Sequence, residues 1–148
     1  IDLNKENSFA FNGLGSAYKE LDQNDEAIIN YKNAVKIKPD YFIAYYNLGT
    51  TLSTIRNFKE AKEAFEKVLE LKPDHNYAIG KLIHTKMMLS DWSNLDKNLN
   101  KMISSINENK RVIDPFPVLS LIDDPSIHKI NADIFVDYKF NVFGVDEV

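Results

Sequence analysis

The 148-residue sequence contains no cysteine, which excludes disulfide bonds, thiolate metal sites and a thiol nucleophile. No apolar run approaches the roughly 20 residues that a membrane-spanning helix needs. The formal net charge is -4, whereas nucleic acids and anionic lipid surfaces are bound by basic faces. We therefore expect neither nucleic acid nor membrane as a partner. The absence of cysteine does not define the compartment, and a reducing cytoplasm is the simplest expectation.

An internal repeat occupies the first half of the chain. Pairs of equal or similarly sized residues are separated by 34 positions: Leu14 and Leu48, Gly15 and Gly49, Ala27 and Ala61, Tyr31 and Phe65, Pro39 and Pro73. The offset continues once more with weaker agreement, since Leu82 and Trp92 follow Leu48 and Phe58, while Asn107 replaces the closing proline. Terminal units of a repeat array are expected to be atypical, because their outer face is not covered by a neighbour.

Each repeat contains two helical stripes with apolar or small residues at spacings of three and four. Those of the first repeat are Phe11, Leu14, Gly15 and Tyr18, then Ala27, Tyr31, Ala34 and Val35. Small residues at Gly15 and Ala27 let the two helices approach closely. Pro39 and Pro73 end the second helix of each repeat, because proline lacks the amide donor. Asn24 and Asn57 are predicted to cap the second helices with their side chains.

With this period and these residues, the sequence resembles the tetratricopeptide-repeat family. The resemblance implies an all-α solenoid of helical hairpins that form a right-handed superhelix. Ile1 and Leu3 look like the end of an earlier hairpin, so we expect the chain to begin inside a longer array. The predicted divisions are 1–7 (tail of a preceding repeat), 8–41 (first repeat), 42–75 (second repeat), 76–109 (degenerate third repeat) and 110–148 (linker and terminal helix).

The final segment has its own pattern. Pro115 and Pro117 exclude a helix at its start, whereas Asp124 before Pro125 is a helix start signal. We predict a helix from Pro125 to about Phe140. If a following domain normally covers this helix, its apolar residues form an exposed patch that promotes self-association. These residues are Ile127, Ile130, Ile134 and Phe135.

The same segment resembles a linker found in bacterial O-linked N-acetylglucosamine transferase-like proteins. The resemblance rests on Asp91 and Trp92, then on Pro115, Phe116, Leu119, Leu121, Asp123, Asp124 and Pro125. It implies a parent enzyme that transfers a sugar from a UDP-sugar to serine or threonine of proteins selected by the repeats. No catalytic residue of that family maps onto this sequence, so we expect the chain itself to be no enzyme and to need no cofactor. The alternative is a free-standing adaptor without a catalytic domain.

In the tetratricopeptide family, the first helix of each hairpin lines a concave groove that binds a peptide or partner protein. The residues expected there by helical phase are Asn12, Ser16, Lys19, Tyr46, Asn47, Thr50, Ser53, Lys81 and His84. By resemblance to the sugar-transferase arrays, Asn47 grips the backbone of a bound substrate. Gly13 and Lys81 stand at the equivalent places of the neighbouring repeats, so this row of asparagines is broken. Tyr46 is expected either to contact a peptide or to pack between repeats.

Other candidate sites fail simple tests. Gly13-Leu14-Gly15 hints at a phosphate loop, but Tyr18 stands at the third glycine position and no strand precedes it. The three histidines, His75, His84 and His128, are not spaced to place two on one helical face, which argues against a metal site.

Overall fold

The computed structural model describes residues 3–75, 77–110, 112–113 and 121–143. These ranges contain seven helices and no strand, which confirms the predicted all-α class. In chain order the helices are α1 (Leu3–Glu20), α2 (Asn24–Ile37), α3 (Phe42–Thr54), α4 (Phe58–Leu71), α5 (Ala78–Met88), α6 (Leu95–Asn107) and α7 (Pro125–Phe143). The predicted linker stretch 114–120 lies outside the described residues.

Contacts divide the chain into two compact units. The first unit comprises Ile1–Asp74 and Thr85–Asp91, and therefore holds the hairpins α1–α2 and α3–α4. The second comprises His75–His84 and Trp92–Val148, with α6 and α7.

The two hairpins of the first unit close around glycine–aromatic contacts. A Cβ atom placed on Gly15 would lie 2.7 Å from the nearest ring carbons of Tyr31, and one on Gly49 would lie 3.0 Å from the ring of Phe65. Both rings are buried, and Ala27 on α2 is fully covered. The small residues of the repeat therefore set the distance between the paired helices, as the sequence predicts.

The turn that ends the first helix of each hairpin recurs with the same period. Asp22, Arg56 and Ser90 all have left-handed backbone conformations, with φ of 58°, 61° and 53°. In each turn the next residue donates its N–H to a carbonyl five residues earlier at 2.9 Å, which is the hydrogen bond of a Schellman motif. The three bonds join Gln23 to Tyr18, Asn57 to Leu52 and Asp91 to Lys86. The period of 34 thus continues in the backbone up to Asp91, beyond the two repeats in which it is obvious from the sequence.

Two local predictions are wrong. Asn24 is the first residue of α2, and its amide donates to the Asp22 carboxylate at 2.9 Å instead of capping the helix. Asn57 stands at the cap position of α4, yet its side chain donates to Glu60 at 2.7 Å and makes no cap bond.

The first helix is longer than its counterpart in the second repeat. α1 begins at Leu3 and has 18 residues, whereas α3 has 13. Residues 3–7, which were predicted to belong to a preceding repeat, are the first five residues of α1, and the helix runs from them into the first repeat without a break. The division of the chain into repeats stays a prediction.

Apolar and ionic contacts join the two repeats of the first unit. Ala34 of α2 and Ala44 of α3 are fully buried in one cluster with Tyr41. At the surface, Lys32 of α2 forms an ion pair with Glu60 of α4, with 2.6 Å between nitrogen and oxygen. The α2–α3 contact is therefore a repeat-to-repeat interface with a charged pair at its edge.

In the second unit, α7 packs against α6. The predicted helix start is confirmed, because the Asp124 carboxylate accepts the backbone N–H of Ser126 at 2.9 Å. The hydroxyl and the N–H of Ser126 both bond this carboxylate, and they lower its pKa below the usual value. Ile127 is buried, and Ile130 and Ile134 are half-buried. The predicted patch is therefore not exposed as a whole, because its first residue lies inside the unit.

Replacing Ile127 by aspartate is expected to unfold the second unit, because it buries a charge where the isoleucine is 5% exposed. The expected cost is about 3 kcal/mol or more. Val136, 46% exposed on the same helix, is the matched control, and its change to aspartate is expected to leave stability nearly unchanged. Thermal unfolding followed by circular dichroism measures both. Equal melting temperatures for the two variants would contradict the burial of Ile127.

Candidate functional site

The candidate site lies where α1 and α3 are neighbours, on a surface that we call the α1–α3 face. Asn47 of α3 donates from Nδ2 to Oδ1 of Asn12 on α1, at 3.1 Å. Both side chains are half-buried, so they are held by the fold yet reach the surface. Two of the predicted groove residues are thereby brought into direct contact.

The amide pair keeps unused hydrogen-bonding capacity. Among the described residues, Asn12 Nδ2 and Asn47 Oδ1 make no further hydrogen bond. The pair therefore presents one donor and one acceptor side by side. If both side-chain amides are rotated by 180°, Asn12 becomes the donor within the pair and Asn47 the acceptor. The pair then still presents one free donor and one free acceptor. A residue of an extended peptide matches this arrangement, because its own N–H and C=O point to the same side of the chain.

Two hydroxyl groups form a chain of hydrogen bonds that ends at the backbone carbonyl of Asn12. Tyr31 donates to Ser16 Oγ at 3.3 Å, and Ser16 Oγ in turn donates to the backbone carbonyl of Asn12 at 3.1 Å. Burial raises the pKa of the Tyr31 hydroxyl, although the bond to Ser16 opposes the shift, so the hydroxyl stays protonated. Ser16, predicted to line the groove, thus serves the packing of the first hairpin with its hydroxyl.

Tyr46 precedes Asn47 on α3. Its ring meets the ring of Phe65 edge-on, with centroids 6.0 Å apart and an angle of 65° between planes. Tyr46 is half-buried and Phe65 is fully buried. Contact with α4 of the same repeat accounts for the position of the ring, and part of it stays open to solvent. Both expected roles of Tyr46, packing and peptide contact, are compatible with this placement.

The other five predicted groove residues differ in burial and in hydrogen bonding. Thr50 is half-buried, and its hydroxyl donates to the carbonyl of Tyr46 at 2.8 Å. Ser53 Oγ is buried and has no hydrogen-bond partner among the described residues. Lys19 is half-buried on α1. Lys81 is half-buried and His84 exposed on α5, both within the second unit.

Sequence reasoning missed the pairing of Asn12 with Asn47. It compared positions separated by 34, at which Gly13 is the counterpart of Asn47, and the row of asparagines then looked broken. The observed partner is 35 positions away, one residue earlier on α1. The sequence did offer one signal: Asn12 stands next to the expected position 13, on the helix α1 that also lines the face.

The described part of the chain holds no group of three or more His, Asp or Glu side chains that could bind a metal ion. Within the same residues, no helix has both the length and the apolar character needed to cross a membrane.

Comparisons with known proteins agree with this architecture. The family model described as TPR repeat matches residues 15–53, and the model described as tetratricopeptide repeat matches residues 42–75. The structure titled YrrB, a TPR protein with an unusual peptide-binding site, superposes with a TM-score of 0.60 at 23% identity, over 74% of this chain and 56% of that one. The N-terminal domain of stress-induced protein-1 from C. elegans superposes with a TM-score of 0.57 at 17% identity. The match covers 90% of this chain and 98% of that domain. At these identities the structures show the fold alone.

Two curated relatives match over 98 residues, or 66% of this chain. The small glutamine-rich tetratricopeptide repeat-containing protein 2 of Mycosarcoma maydis is 33% identical, and the UDP-N-acetylglucosamine–peptide N-acetylglucosaminyltransferase of Giardia intestinalis is 28% identical. The matched region spans 28% and 7% of their lengths.

The fold and the repeat period define a class of protein, the α-helical solenoids built from 34-residue hairpins. Within that class, the chain is a tetratricopeptide-repeat protein. Such repeats are modules for protein–protein interaction.

Proposed function

We propose that the α1–α3 face binds an extended peptide segment of a partner protein, and that Asn12 and Asn47 hold the backbone N–H and C=O of one of its residues. The observation that carries the proposal is the hydrogen bond of 3.1 Å between the two amides, which leaves one donor and one acceptor available. A peptide C=O accepts from one amide, and the neighbouring N–H donates to the other. Such a contact reads the backbone and is tolerant of side-chain sequence.

The surroundings of the pair suit this role. The carbonyl of Asn12 is held by Ser16 and, through it, by the buried Tyr31. The carbonyl of Asn47 accepts from Thr51 at 2.9 Å. The pair is thus held before a ligand arrives, which lowers the entropy lost on binding. Tyr46 beside it offers a large, rigid surface for a peptide side chain.

The test uses a peptide probe, because the natural partner is unidentified. A peptide-array screen of random 12-residue sequences supplies a binder, and each of its peptide bonds is then replaced in turn by an ester. At one position the ester is expected to weaken binding about fivefold, since one hydrogen bond contributes about 1 kcal/mol. In Asn47→Ala, binding is expected to be weaker already, and the ester at that position to have no further effect. Isothermal titration calorimetry measures both affinities.

Asn30→Ala is the matched control, because within the described part of the chain the Asn30 amide bonds only the Glu26 carbonyl of its own helix, at 2.8 Å. This variant is expected to bind the probe with wild-type affinity and to show the full ester effect. If the ester effect were equally large in Asn47→Ala and in the wild type, the amide pair would not be the contact.

For the parent protein, the chain is proposed to be the substrate-selecting part of a protein O-glycosyltransferase-like enzyme. Support comes from the tail resemblance at Asp91, Trp92 and 115–125, and from the similarity to the Giardia transferase. The second candidate, an adaptor without a catalytic domain, is favoured by the 33% identity to the Mycosarcoma repeat protein. Reading the native gene past the codon for Val148 separates them. Strand–helix alternation of a sugar-nucleotide domain supports the first candidate, and a stop codon close by supports the second.

A further inference from the structure

The first turn of α5 is covered by a later part of the same chain. A Cβ atom placed on Gly80 would lie 2.5 Å from the backbone oxygen of Val112 and 2.8 Å from Cβ of Ile113. All three residues belong to the second unit. We call Val112 and Ile113 the return segment. Its backbone can approach the helix this closely only because position 80 carries no side chain.

Gly80 stands at a repeat position that carries groove residues in the first two repeats. It follows Tyr46 by 34 positions and Asn12 by 68. Asn12 and Tyr46 are half-buried, whereas Gly80 is buried. His84, one turn further along α5 and equivalent to Thr50, is exposed. The return segment thus covers the position on α5 that corresponds to Asn12 and Tyr46, and it leaves His84 open.

Apolar burial holds the return segment in place. Val112 is 3% exposed and Ile113 is 5% exposed. Neither residue lies in a helix, and within the described part of the chain neither forms a hydrogen bond. Apolar burial is not directional, so the same two side chains on another chain can make the contact equally well. The contact therefore has the chemistry of a bound aliphatic segment.

The end of α6 differs from the ends of α2 and α4 and leads directly to this contact. Asn109 is left-handed with φ of 56°, and the N–H of Lys110 donates to the carbonyl of Ser105 at 2.9 Å. This is the same Schellman hydrogen bond that ends the first helix of each hairpin. It ends α6 so that Val112, two residues after Lys110, contacts α5.

We propose that the return segment is an internal ligand of α5, and that Gly80 marks a binding position for an extended aliphatic segment of a partner protein. The partner gains access when the return segment leaves. The partner segment is expected to carry two β-branched aliphatic residues, because Val112 and Ile113 fill the position. The choice of this position rests in part on the proposed function, through its equivalence to Asn12 and Tyr46.

The first test supplies the return segment as a separate peptide. Val112→Ser and Ile113→Ser are combined in the complete chain, which keeps its length and loses the apolar contact. A peptide of residues 108–113 is expected to bind this variant with a Kd of roughly 1 mM. It is expected to bind the unchanged chain about tenfold more weakly, because the tethered segment competes at a millimolar effective concentration. Nuclear magnetic resonance titration, followed on the backbone signals of α5, measures both affinities.

Two controls assign the binding to Gly80. The same peptide with serine in place of its valine and isoleucine is expected not to bind. Gly80→Ala in the variant is expected to weaken binding about tenfold, because the added methyl group takes the place of a backbone carbonyl. Gly13→Ala is expected to have no effect, since its Cβ would meet no atom within 4 Å. These tests leave Asn12 and Asn47 unchanged, so the present proposal and the proposed function can fail separately.

Thiol labelling shows whether the return segment leaves α5 while the second unit stays folded. Because the chain contains no cysteine, Ile113→Cys and Ile106→Cys each introduce a single thiol. Ile106 is fully buried on α6 in the same unit. Gly80→Ala is expected to raise the labelling rate at position 113 about tenfold and to leave the rate at position 106 unchanged. Reaction with Ellman's reagent measures both rates.

Two results would overturn the proposal. If the folded Val112→Ser, Ile113→Ser variant does not bind the peptide, α5 offers no position that a separate chain can occupy. If Gly80→Ala raises labelling equally at positions 106 and 113, or if the serine variant loses its helical circular dichroism, the return segment belongs to the core of the second unit and is not a displaceable ligand.

Discussion

Replacing Gly15 by valine is expected to destabilise the chain by about 3 kcal/mol, because it forces side-chain atoms into a filled core. A Cβ atom at this position would lie 2.7 Å from Cδ1 and Cε1 of Tyr31. Tyr31 has little room to move aside, since it is 1% exposed and its hydroxyl is bonded to Ser16. The helices α1 and α2 would have to separate. Urea denaturation followed by circular dichroism measures the loss in free energy of unfolding.

Gly13, two residues earlier on the same helix, provides the control with the opposite sign. A Cβ atom there would meet no atom within 4 Å. Gly13→Ala is therefore expected to raise stability by up to about 1 kcal/mol, the difference in helix propensity between the two residues. If both variants moved stability in the same direction, close contact between α1 and Tyr31 would not be the reason for glycine at position 15.

Removing the carboxylate of Asp91 is expected to cost about 2 kcal/mol, because this carboxylate forms an ion pair with a largely buried lysine. Lys86 Nζ lies 3.9 Å from Asp91 Oδ2, and the Lys86 side chain is 8% exposed. Lys62 Nζ lies 3.1 Å from the same oxygen, and this hydrogen bond raises the pKa of the Lys62 amino group. Asp91→Ala is measured by urea denaturation, repeated in 1 M NaCl, where surface pairs are screened.

Lys86→Leu is expected to compensate for the loss. Lys86 stands at the position that Leu52 occupies one repeat earlier, and Leu52 is 1% exposed. An apolar side chain there needs no counter-charge, so Asp91→Ala combined with Lys86→Leu is expected to return to within about 1 kcal/mol of wild type. A double variant as unstable as Asp91→Ala alone would show that Asp91 acts through the turn and not through Lys86.

The fold was predictable because its information is repeated along the chain. The pair Leu14-Gly15 alone does not indicate a fold. The same pair recurs after 34 residues as Leu48-Gly49, and a repeated helical hairpin explains both the period and the residue types. The buried state of Ala27, Tyr31 and Phe65 follows from that period. Helical phase also places Asn12 and Asn47 on neighbouring helices, so part of the candidate site was within reach.

Features that depend on contacts between side chains were not predictable in the same way. The bond from Asn47 to Asn12 depends on how α1 and α3 cross, which helical phase does not specify. Asn57 satisfies the cap rule by type and position, yet Glu60 offers its amide a carboxylate three residues away. The exposure of Leu14 reflects what lies next to α1, and a periodic sequence predicts the same burial for every repeat.

The three hairpin turns have a consequence for how the chain tolerates change. Asp22, Arg56 and Ser90 hold a left-handed backbone that glycine adopts without steric penalty, and a side chain there costs about 1 kcal/mol per turn. The turns form all the same, because each is closed by a Schellman hydrogen bond, and at the first two turns the flanking helices also pack on each other. At three equivalent positions of the repeat, a residue other than glycine thus adopts a backbone conformation that glycine prefers. In the first two repeats the turn thus accepts residues as different as Asp22 and Arg56, while the glycine–aromatic contacts keep each hairpin closed.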